Sequence, residues 1–148
     1  MSLESLQREG FLRPHKASKS EIRAMLQLVE RDLADAGLQD LSTDRRFLVA
    51  YEAALNLATI ALYCAGYETH GKGHHWATFQ TVPEIMGNQF KEQATYFDSC
   101  RTKRNVSTYD RGGQISEAES AELLDEASKF KGHLEKWLRG NFPKLLGG

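Results

Sequence analysis

Cysteine is scarce in this chain: its 148 residues hold two. Cys64 and Cys100 sit inside apolar helical patterns rather than as a close pair, which argues against a disulfide framework and for small core residues in a reducing cytoplasm. Neither sign of charge is in excess. Nineteen Lys and Arg (19) against 20 Asp and Glu leave a net charge of −1, so any nucleic-acid site has to be a local patch. No apolar run approaches the ~20 residues that span a bilayer, and no signal-peptide pattern is present. No internal repeat and no convincing strand occurs. These absences lead us to expect a soluble, cytoplasmic protein, with no membrane association and with one continuous core.

Helical periodicity fills the remainder. Residues 1–17 are polar, contain Pro14 and lack clean periodicity, so they read as a flexible N-terminal arm before a single domain over 18–148. Ser18 with Glu21 forms a capping-box pattern, followed by Ile22, Met25, Leu26, Val29 and Leu33 at helical spacing, and Gly37 ends that run. A second helix starts at Ser42 or Thr43 and runs toward Gly66, thin with alanine and carrying Phe47, Tyr51, Ala54, Leu55 and Ala58. Leu57 and Ile60 point away from its main stripe, so this helix is either buried all round or faces a second copy of the chain. Glu68 to His75 reads as a loop. Trp76, Phe79 and Val82 suggest a short helix, with Pro83 as a turn or a new start. Gly87-Asn88 opens a helix bearing Phe90, Ala94 and Phe97, and Asp110-Arg111-Gly112-Gly113 breaks it. Ser116 with Glu119 caps the last helix, whose stripe of Leu123, Ala127, Phe130, Leu134 and Trp137 ends before Pro143. The expected fold is all-α, an up-and-down four-helix bundle plus a short extra helix.

Two arginines lie where that bundle should be apolar. At about 100° per residue, Arg101, Arg104 and Thr108 continue the direction of Phe90, Ala94 and Phe97. Guanidinium groups on an inward face either pair with acids or aim at an anion. The first reading has direct support, since Asp98 precedes Arg101 by three residues, a spacing that pairs side chains on a helix. In the second, Arg104 offers a planar fork to phosphate, Arg101 lies one turn before it, Asn105 adds an amide and Tyr109 a hydroxyl.

His70, His74 and His75 surround Gly71-Lys72-Gly73. No cysteine lies near them, the only close carboxylate is Glu68, and the spacing matches neither a zinc finger nor a helical His pair, so no metal is expected. A polar loop with one histidine capping the next helix is the simpler reading. The Gly-Lys-Gly triplet lacks the Gly-Lys-Ser/Thr ending of a phosphate loop. No nucleophile stands out among the cysteines or serines.

An Arg-Asn pair near the end of a late helix in an all-helical bundle resembles the HEPN superfamily, whose mark is Arg followed a few residues later by His. Arg104 and Asn105 match, and Tyr109 stands where the histidine is expected. The string from Arg101 through Arg104-Asn105 to Tyr109-Asp110, then a glycine turn and a capped helix, is similar to the branch related to nucleotidyltransferase substrate-binding domains. The resemblance covers residues 18–140. It implies a homodimer whose motif helices line a shared cleft, no cofactor, and nucleotide or RNA binding beside a nucleotidyltransferase partner in toxin–antitoxin systems. It also implies metal-independent RNA cleavage in which Arg104 stabilises phosphorane charge and Tyr109 takes the histidine's place. Tyrosine, with a pKa near ~10 against ~6.5 for histidine, is a poor general base at neutral pH. The reading adopted is therefore binding of nucleotide or RNA phosphate through Arg101, Arg104, Asn105 and Tyr109. The alternatives are a metal-independent ribonuclease toxin and a non-catalytic interaction subunit.

Overall fold

The computed structural model describes residues 2–109 and 115–146, with side chains for 2–105 and 115–146. The fold is an all-α bundle. In chain order it contains α1 (Leu3–Arg8), β1 (Leu12–Pro14), α2 (Lys19–Ala36), α3 (Thr43–Cys64), β2 (Tyr67–Thr69), α4 (His74–Met86), α5 (Lys91–Tyr109) and α6 (Glu117–Asn141). Short 3₁₀ turns cover Asn88–Phe90 and Pro143–Leu146.

Helix α3 is the axis. It packs on α2, α4, α5 and α6, and its alanines at 50, 53, 54, 58 and 61 have no exposed surface. Leu57 and Ile60 are equally buried, so their off-stripe positions are covered within one chain, while a stripe through Leu48, Glu52, Asn56 and Thr59 stays partly exposed. By length and composition α3 is long and apolar enough to cross a membrane, contrary to the expectation that no run approaches that length. Within the fold, 61% of its most apolar window is buried against the other helices, as expected of a core helix. An aromatic chain of Tyr51, Phe79, Phe97 and Phe130, in successive ring contacts 5.4–6.0 Å apart, joins α3, α4, α5 and α6 through the centre.

Ser42 and Ser116 cap α3 and α6 as their sequences predict, and Glu119 completes the box at α6. At α2 only half of the expected box forms. The Ser18 hydroxyl accepts from the Glu21 amide, but the Glu21 carboxylate pairs with His15 Nε2 at 2.8 Å. Pro83 is a second correction. It lies inside α4 rather than at a turn or a helix start.

The amino-terminal segment differs most from expectation. Its sequence predicts a flexible arm without strands, yet it folds into α1 and β1. The strand β1 pairs antiparallel with β2, with Leu12 opposite Thr69 and Pro14 opposite Tyr67. Leu6 and Leu12 close with Leu62 into a small second core, and Leu6 has no exposed surface. Burying one such leucine favours the fold by about 1.5–3 kcal/mol. A helix this short shows no period, and its partner strand lies far along the chain, so neither signal is local.

Candidate functional site

Helix α5 carries its core face as far as Cys100, after which the same face turns to guanidinium. Ala94, Phe97 and Cys100 are buried, while Arg101 and Arg104 are partly exposed. Each arginine has a carboxylate. Arg101 Nε donates to Asp98 Oδ1 at 2.8 Å, and this bond holds the Arg101 pKa above its ordinary value. Arg104 Nη2 lies 3.5 Å from Glu52 Oε1, a looser pairing. Burial pushes the Glu52 carboxyl up, Arg104 opposes that shift, and Asp32 adds to it. The Arg104 guanidinium also sits 5.5 Å from the Tyr51 ring centroid, and its Nη1 donates to Asn105 Oδ1 at 3.3 Å. Its Nε is buried with no hydrogen-bond partner among the described residues.

The two arginines face different spaces. Arg101 and Asn105 line a cleft of about 190 Å³ together with Gly73, His74, His75 and Trp76. Arg104 lines a separate cleft of about 300 Å³ with Arg31, Asp32, Glu52 and Asn56. The Tyr109 side chain lies outside the described residues, so the fourth expected ligand has no position here.

The first cleft opens on the start of α4. That helix has Gly73 as its N-cap, at φ +75°, with no side-chain cap for its free amides among the described residues. The left-handed backbone is natural for glycine and strained for other residues. The expectation of a histidine cap is corrected here. His74 Nδ1 lies 3.4 Å from Thr69 Oγ1, and His75 Nδ1 is hydrogen-bonded to the Tyr51 hydroxyl at 3.0 Å. His70 pairs with Arg13 instead, Nη1 to Nδ1 at 3.2 Å. Among the described residues no group of three His, Cys, Asp or Glu side chains is placed to hold a metal ion.

Tyr51, expected only in the core stripe, and His75, expected in a polar loop, meet at this site. Tyr51 reads as core stripe, and it is fully buried; its hydroxyl reaches the His75 ring that lines the cleft. Burial raises its pKa far enough that the phenol stays protonated, against the opposing pull of Arg104. His75 is shifted the other way. Burial first, then Arg104, His74 and Arg101, lower its pKa from 6.5 and favour the neutral ring. Cys64 and Cys100 have thiols pushed up to about 11 by burial, which leaves them poor nucleophiles at neutral pH.

A third and larger cleft, about 900 Å³, separates the start of α5 from α6. Phe90, Tyr96 and Trp137 line it together with Glu92, Glu122 and Glu126. Comparison of the chain with family models, with curated proteins and with solved structures finds no match.

Proposed function

We propose that this chain is a HEPN-like helical domain that binds the phosphate of a nucleotide or RNA in the cleft between α5 and the start of α4. One observation carries the reading: Arg101 and Asn105 line a single small cleft with the start of α4, whose first-turn amides have no side-chain cap among the described residues. The first amides of a helix lack intrahelical acceptors and carry the positive end of its dipole. Such an end takes an anion readily, and a guanidinium fork beside it adds charge-assisted bonds. The volume of about 190 Å³ lies below the range typical of pockets that enclose a whole small molecule. It suits one phosphate group, with the sugar and base held outside. Arg104 lines a separate cleft but adds positive potential at His75, and Tyr109 belongs to the same helix. The homodimer and the nucleotidyltransferase partner rest on the resemblance of the Arg104-Asn105 motif, as does a ribonuclease activity.

Binding of a short single-stranded RNA and of a mononucleotide at low salt tests the reading. Arg101→Ala should weaken both by about tenfold or more, the worth of a hydrogen bond to a charged group. Equal affinity in wild type, Arg101→Ala and Arg104→Ala would remove the site.

A second reading has its own support. Asp98 and Glu52 already partner the two arginines, as in an interaction subunit whose guanidinium groups are structural. In that case Arg101→Ala lowers the melting temperature and leaves RNA affinity unchanged.

A further inference from the structure

The histidine-rich turn before α4 contributes one ring to the anion cleft, and that ring has a second, buried contact. His75 lines the cleft with Arg101 and Asn105. Behind the cleft its Nδ1 meets the Tyr51 hydroxyl at 3.0 Å, with the two rings tilted at 5.8 Å. We infer that His75 is a further ligand of the cleft, and that a bound phosphate or sulfate group is accompanied by proton uptake onto its imidazole. This inference rests on the phosphate reading of the site.

The surroundings of His75 set the direction. Two guanidinium groups on α5, Arg101 and Arg104, and the neighbouring His74 oppose its charging. The carboxylates that offset those arginines, Asp98 on α5 and Glu52 on α3, are each committed to an arginine. Without an anion, burial and these neighbouring charges favour the neutral ring. A bound anion supplies the missing negative charge and favours the imidazolium. The proton comes from solvent, and no bond is made or broken in the ligand.

Tyr51 makes both states tolerable. Its hydroxyl can donate to the unprotonated Nδ1 of the neutral ring, and after rotation it accepts from Nδ1–H of the cation. The phenol itself does not ionise, because burial raises its pKa. In both states the other ring nitrogen, Nε2, carries a hydrogen that can be given to an anion. Tyr51 is thus a positioning residue that fixes the ring without choosing its charge.

Linkage then dictates the pH dependence. If anion binding raises the His75 pKa, affinity must rise as pH falls, by up to about tenfold per pH unit across the window between the free and bound pKa values. Sulfate is the suitable probe, because its own charge is constant between about pH 5.5 and about pH 8, where histidine titrates. Sulfate affinity of the full chain is measured across that range for wild type, H75Q, H74Q and R101A, with imidazole resonances followed by NMR with and without sulfate. The expected result is a falling affinity with rising pH in wild type, a flat profile in H75Q, and an upward pKa shift of the resonance missing from H75Q. A slope that survives in H75Q, or that vanishes in H74Q instead, overturns the inference while leaving the anion site standing. No sulfate binding by wild type, or no loss in R101A, overturns the phosphate reading and the inference with it.

Discussion

Two of the clefts along helix α5 are opposite in character. Near its start, the wide cleft against α6 presents Phe90, Tyr96 and Trp137 with three carboxylates, Glu92, Glu122 and Glu126. A few turns later, the narrow cleft against α4 presents Arg101, Asn105 and His75. The first has nearly five times the volume, about 900 Å³ against about 190 Å³. Size alone would select it as the ligand site. Charge selects the other for a phosphate, because in the wide cleft three carboxylates outnumber one lysine, Lys136, whereas an anion in the narrow cleft meets a guanidinium and the start of α4.

The largest expected effect concerns what holds the narrow cleft in place. Leu6→Ala should destabilise the protein by about 2–5 kcal/mol, the usual range for a fully buried leucine, measured by urea denaturation. A loss well under that range would show that the amino-terminal core yields without cost. Next comes Arg101→Ala, with its loss of RNA affinity by about tenfold or more. Glu92→Gln in the wide cleft is its counterpart and should leave RNA affinity within twofold at ~0.15 M salt, where charges more than a Debye length apart are screened. An equal loss in both variants would end the distinction between the two clefts.

Gly73→Ala should cost about 1–2 kcal/mol of stability from its left-handed backbone, and should weaken RNA binding by disturbing the start of α4. Unchanged melting and binding would show that the turn is not under conformational constraint.

The smallest effect is the pH dependence of stability from His75. Its pKa is lowered in the folded state, so the unfolded chain takes up a proton more readily. The contribution is fully present above the unfolded value of 6.5 and is lost as pH falls through the lower folded value. His75→Gln should therefore flatten the acid side of a urea-midpoint profile below about pH 6.5. An identical acid limb in the variant would assign that loss to other groups.

The parts of this molecule that sequence discloses are those with local causes. Ser42 and Ser116 cap their helices because a side-chain oxygen three residues from a free amide can reach it. The Asp98–Arg101 pair follows from helical spacing. The arginine direction on α5 also follows from the helix period, since the buried residues at 94, 97 and 100 lead straight to it. What stayed hidden is non-local. Glu21 abandons its capping role for His15 across a bend in the chain, and no spacing rule anticipates that competition. The Tyr51–His75 bond joins residues 24 positions apart on different elements. The periodic pattern assigned Tyr51 to the core, which is right for its ring and silent about its hydroxyl. Arg101 and Arg104 share a helix face in projection but open onto different clefts.

The strand pairing near the amino terminus has a practical consequence for anyone handling this protein. His70 donates its amide to the Phe11 carbonyl at 2.7 Å, and the Phe11 ring meets Trp76 edge-on at 5.2 Å. A Cβ added at Gly73 would come within 3.5 Å of that same ring. The opening residues thus act as a splint on the turn that presents His74 and His75. Shortening the chain by its first fourteen residues would uncover Leu62 of α3 and free this turn. Ligand assays on such a shortened protein would report the loss of the splint, and an arginine variant compared in that background would look weaker than it is.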